Sequence, residues 1–97
     1  MGRYSVAECE APNSFQIFVG NLPSGTGYVD LEERFLRYGN VVHARVHVSL
    51  SCFGFVVFEN EAPVQKILRE VRSGAKFFLY DRLLKIEEKK PNRWPAF

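Results

Sequence analysis

Hydrophobic positions recur every second residue in some stretches of this chain and every third or fourth in others, and the two periods take turns. Residues 15–20 and 53–58 have the two-residue rhythm of β-strands, in which neighbouring side chains point to opposite faces. Ile17, Val19, Val56 and Phe58 then share one face, and Phe18, Phe53 and Phe55 share the other. Residues 41–48 alternate as well, with Val42, Ala44, Val46 and Val48 on one side and His43, Arg45 and His47 on the other. Residues 28–38 are predicted to be helical: Leu31 and Phe35 lie four apart, Asp30, Glu32 and Glu33 suit the positive end of a helix dipole, and Gly39 ends the element.

A second helix follows Asn60, which is placed to cap it, with Pro63 in its first turn. Val64, Ile67, Leu68 and Val71 trace its buried stripe, and Ser73-Gly74 breaks it. The short link at residues 49–51 predicts an antiparallel hairpin between the second and third strands. Residues 77–80 read as a short strand, Asp81 as a turn, and residues 83–88 as the last strand, with Leu84 and Ile86 inward and Lys85 and Glu87 outward. The order is β-α-β-β-α-β. Each helix has one apolar stripe to hide, so the expected fold is an α+β, ferredoxin-like sandwich: a four-stranded antiparallel sheet with two helices on one face. The other face is then open, and Phe18, Phe53 and Phe55 lie on it. Leaving such side chains out of a core forgoes roughly 1.5–3 kcal/mol each, and a contiguous aromatic patch marks a binding surface. Flat rings suit flat ligands, above all the bases of single-stranded nucleic acid.

Composition narrows the picture only modestly. With 97 residues, 46% of them hydrophobic, the chain has material for one core without metals or disulfides. Residues 1–13 read as a lead-in, 14–90 as the domain and 91–97 as a tail. The net charge of +2 neither demands nor excludes a nucleic-acid partner. Cys9 and Cys52 form neither a disulfide framework nor a zinc spacing, and suit a reducing compartment. No apolar run approaches the ~20 residues of a membrane helix, and residues 1–13 lack the apolar core of a signal peptide. The expected setting is cytoplasmic, with the nucleus as a further option, and no membrane partner.

In the short run Ile17-Phe18-Val19-Gly20-Asn21-Leu22 and in Ser51-Cys52-Phe53-Gly54-Phe55-Val56-Val57-Phe58, the chain resembles the RNA-recognition motif family. The resemblance implies that Phe18, Phe53 and Phe55 stack on bases, the three residues that alternation sets outside. The long motif of the family begins with Lys or Arg and then Gly, whereas this chain has Ser51 and Cys52. A phosphate anchor is therefore missing, which implies modest affinity or a transfer of that duty to Arg45 or Lys85. A narrower likeness is to the recognition motif of the Ras-GAP SH3-domain-binding proteins, through Tyr38-Gly39-Asn40-Val41-Val42, Phe53–Glu59, Ala62-Pro63-Val64-Gln65-Lys66-Ile67-Leu68 and Ile86-Glu87-Glu88-Lys89-Lys90. It implies that the chain is a fragment of a larger protein working on messenger RNA in cytoplasmic granules.

Arg45, Lys85, His43, His47, Gln16 and Glu87 are expected around the aromatic set, as phosphate or base-edge contacts or as an ordinary solvated face. Asn21 is a turn former or an RNA contact. Lys89, with Lys90 and Arg93, forms a basic stretch able to reach a bound backbone. Gly20 and Gly54 leave room for close packing. Trp94 and Phe97 are candidates to cover the rings, the alternative to RNA stacking. His43 and His47 are spaced as two metal ligands would be, but no third ligand is near, so neither metal nor cofactor is expected. The loop after the first strand has no arginine to hold an acyl phosphate, and no Ser/His/Asp, Cys/His or carboxylate pair suggests an enzyme. The expected partner is single-stranded RNA, with messenger RNA the favoured class, bound by a monomeric fragment. The alternative is a protein-interaction module on the same fold with weak or no RNA binding.

Overall fold

Interleaved β and α periods demand that both helices hide their stripes on one side of the sheet, and the fold does this. A computed structural model of the chain describes residues 13–48 and 52–89. The expectations for Cys9, Ser51, Lys90, Arg93, Trp94 and Phe97 lie outside the described residues. The elements are β1 (Gln16–Gly20), α1 (Tyr28–Phe35), β2 (Val41–Val48), β3 (Cys52–Phe58), α2 (Ala62–Arg72), β4 (Phe78–Leu79), β5 (Arg82–Leu83) and β6 (Lys85–Glu88). Four strands form one antiparallel sheet in the order β2-β3-β1-β6. Ile17, Val19, Val56 and Phe58 are fully buried with Leu31 and Phe35 of α1 and Val64, Ile67 and Leu68 of α2. This is the α+β sandwich that the periodicities predict.

Local chemistry explains the element ends. Residues Asn13–Phe15 form a 3-10 turn rather than the first residue of a strand, so β1 starts at Gln16. The Asp30 carboxylate accepts a 2.8 Å hydrogen bond from the Gly27 N–H, satisfying a donor at the start of α1. The helix ends at Phe35, three residues earlier than expected, because its last turn tightens to a 3-10 turn over Leu36–Tyr38. At the start of α2, the Asn60 side chain accepts from the Ala62 N–H at 3.0 Å.

Three differences from the sequence expectation matter for the surface. In β2, Val41 pairs with Phe58 and His43 with Val57, so Val42 is the extra residue of a β-bulge. Val41, not Val42, therefore joins the inner face, and the alternation resumes at His43. Val48 lies past the cover of the helices and is exposed. Further on, Phe78 and Leu83 pair within a separate two-stranded hairpin, and the main sheet takes only Lys85–Glu88. Its two turn residues, Tyr80 and Asp81, have φ of 50° and 68°, the left-handed pair that a tight hairpin requires. The Tyr80 hydroxyl donates to Asp30 at 2.6 Å and the Arg34 Nε donates to the Phe78 carbonyl at 2.7 Å, which docks the hairpin on α1.

Candidate nucleic-acid interface

Because register aligns side chains across neighbouring strands, the outer face of the sheet is organised in rows. One row runs Arg45, Phe55, Phe18 and Glu87 across β2, β3, β1 and β6. The next pairs His47 with Phe53 on one side and Gly20 with Lys85 on the other. On the opposite side of the Phe55 row, His43, Val57 and Gln16 follow one another. No helix packs on this face among the described residues.

The rings form one connected surface. Phe18 lies 5.7 Å from both Phe53 and Phe55, tilted to the first and edge-on to the second, and Phe53 meets Phe55 at 90°. His47 extends the surface toward the edge, stacked on Phe53 at 5.2 Å and 19°. A base approaching Phe53 therefore meets a histidine ring beside it, roughly parallel. Phe18 can lean along its strand because Gly20 has no side chain: a Cβ there would sit 2.9 Å from its ring. Gly54 faces the other way, where a Cβ would meet the Arg45 carbonyl oxygen at 2.5 Å and a Leu31 methyl at 2.7 Å. Gly20 shapes the platform and Gly54 brings α1 close beneath it.

Charge lies around the rings. The Arg45 guanidinium is 4.8 Å from the centre of the Phe55 ring and the Lys89 ammonium 5.4 Å, within cation–π range. Lys89 also donates to the Asn13 side chain at 3.3 Å. Lys85 and Glu87, two apart on β6, form an exposed ion pair at 3.5 Å. Exposed pairs are worth little, so Lys85 can be drawn to a phosphate at small cost. Burial lowers the pKa of His43, with the neighbouring Arg45 adding to the effect and Glu32 opposing it, so the ring is neutral at pH 7. His43 Nε2 and Arg45 Nε are both buried without a hydrogen-bond partner.

The predicted residues thus divide. Phe18, Phe53, Phe55, His47 and Arg45 come together, with Lys85, Glu87 and Lys89 at the margins. Gln16 departs from expectation: it has the right face but is 2% exposed, and its neighbour Val57 is 0% exposed. That end of the face is closed. Asn21 sits at a φ of 62° with both ends of its amide engaged, its Nδ2 donating to the Leu83 carbonyl at 2.7 Å and its Oδ1 accepting from Arg82 at 3.2 Å. It joins the loop after β1 to the β4–β5 hairpin, using one hydrogen and one lone pair of its amide. Sequence reasoning placed a strand, a turn at Asp81 and a further strand here but overlooked Arg82 and the contact with Asn21, which their sequence separation hides.

The sequence pattern that defines the RNA recognition motif family matches residues 17–79, from β1 through β4. The chain belongs to that family. Solved recognition-motif structures superpose on it. The Nab3 domain, whose structure concerns cis element recognition of non-polyadenylated RNAs, is similar at a TM-score of 0.62 and 26% identity, over 81% of this chain and 99% of that one. The RNA binding domain of Hrp1, solved in complex with RNA, gives 0.68 and 22%, over 82% of this chain and 48% of that one. The PID-3 TOFU-6 RRM domain complex gives 0.67 and 19%, over 84% of this chain and 90% of that one. At the lower identities these likenesses speak for the fold alone. In this recognition motif, the two sequence runs lie side by side on β1 and β3, the two central strands of the sheet.

Proposed function

We propose that this recognition motif binds single-stranded RNA by stacking bases on Phe18, Phe53 and Phe55, with His47 extending the surface and Arg45, Lys85 and Lys89 facing phosphates. The observation that carries the reading is the continuous ring surface on a sheet face that no described helix covers. Each stacked base contributes roughly 1–3 kcal/mol, so two or three account for most of a micromolar affinity of ~8 kcal/mol. With Ser51 where the family has a cation, affinity is modest. Membership of the RNA recognition motif family and the likeness to Nab3, described with RNA, support the class of ligand. The target we favour is messenger RNA, bound in the cytoplasm by a larger protein similar to the Ras-GAP SH3-domain-binding family, whose members work in messenger RNA granules.

Titrating a mixed-sequence single-stranded RNA against wild type and Phe53→Ala tests the stacking. The variant should bind about tenfold more weakly, the loss of one stacked base. Equal binding by both proteins would end the model. A second reading, a protein-interaction module with little RNA affinity, draws support from Ser51 and from the similar fold in the PID-3 TOFU-6 complex. It requires that RNA fail to bind even at millimolar concentration and that a partner shift helix amides instead.

A further inference from the structure

The sheet has two edges, and β2, at eight residues, is the longer of its two edge strands. Alternate residues of an edge strand turn their N–H and C=O groups away from the sheet, a template for another extended chain. The bulge at Val42 closes one end of this template, and pairing with β3 is regular from His43 to Val48. Along the outside of the strand runs a groove of about 540 Å³, walled by consecutive β2 residues on one side and by Tyr28 and Glu32 of α1 on the other. Tyr28 is 57% exposed, although it sits in the first turn of a helix whose other aromatic, Phe35, is fully buried. Val46 is only half-buried at the same margin. Tyr28, Val42, Ala44 and Val46 give the groove its apolar lining, Glu32, His43 and Arg45 its polar one, and no described strand pairs with the outer edge of β2.

The charges decide which chain fits. On the outer face β2 carries His43, Arg45 and His47 and no carboxylate. A second copy paired antiparallel through the same edge about Arg45 would set the two guanidiniums opposite each other, with imidazoles beside them and nothing anionic on β2 between them. Like groups opposed across strands are unfavourable. A foreign strand with acidic residues on that face and apolar residues on the other would meet Arg45 and the histidines outside, and Tyr28 and Val46 inside.

We infer that the β2 edge is a docking site for an extended acidic segment of a partner protein, which adds a fifth strand to the sheet. The site shares Arg45 and His47 with the proposed RNA surface but needs no RNA, so it is tested on the RNA-free chain. The probe is a synthetic peptide of about eight residues alternating valine with glutamate, the length of an ordinary strand, with a valine–lysine peptide as its counterpart. Added to the RNA-free chain at pH 7, the acidic peptide should shift and protect the backbone amides of residues 43–48, and the basic one should not. Tyr28→Ala, at an exposed site, should weaken the acidic peptide about fivefold through lost apolar contact while leaving RNA binding unchanged. Arg45→Glu should reverse the preference between the two peptides. Equal binding of both peptides, amide shifts confined to the aromatic surface, or pairing of the chain with itself through β2 would each overturn the proposal.

Discussion

Gly54 has Phe53 and Phe55 on either side of it, both turned out of the sheet, while its own α-carbon faces the helices. The space it leaves is filled by the Arg45 carbonyl and by Leu31. A methyl group there collides with backbone, which cannot rotate away as a side chain can. Gly54→Ala should therefore destabilise the fold by about 1–3 kcal/mol, the usual cost of overpacking, read as a lower urea midpoint with an unchanged slope. Gly39 is comparably confined, with Pro63 where its Cβ would lie. The residues that shape the binding face include some that never touch it.

At the scale of elements, alternation was legible where one face of a strand is buried, because burial forces a two-residue period. Ile17 and Val19 on β1, and Val56 and Phe58 on β3, show this directly. Val42 was not legible: a bulge inserts a residue without changing the composition of the strand, and only pairing with β3 reveals it. Nor was the closed end of the outer face, since alternation assigns Gln16 a side and says nothing of what lies over it. The strand, turn and strand around Asp81 were legible, but not that they pair as a hairpin apart from the main sheet. Its turn has Tyr80-Asp81 at left-handed angles where asparagine and glycine are the usual signal. Asp81→Gly should relieve that conformation and raise stability by about 0.5–1 kcal/mol, measured by thermal or urea unfolding, with Tyr80 still bonded to Asp30.

For the molecule as a whole, a net charge of +2 and a centre made of rings set the balance between electrostatics and stacking. Arg45, Lys85 and Lys89 are the cations at the margin of the platform, and Lys85 is shared with Glu87. Two to three phosphate contacts give a slope of log affinity against log salt of only about −1.4 to −2.1. Affinity for a single-stranded oligonucleotide, measured over a several-fold range of salt, should follow that shallow line. A slope beyond about −4 would mean that charge rather than stacking dominates.

The three phenylalanines are in mutual contact, His47 meets both Phe53 and Phe55, and Arg45 leans on Phe55. Removing any ring withdraws support from the others as well as area from the ligand, so truncations among them are coupled. Affinity then belongs to the group rather than to its members. A sum of single-ring losses would count the same support more than once, and a gain engineered at one ring would depend on the tilt of the other two.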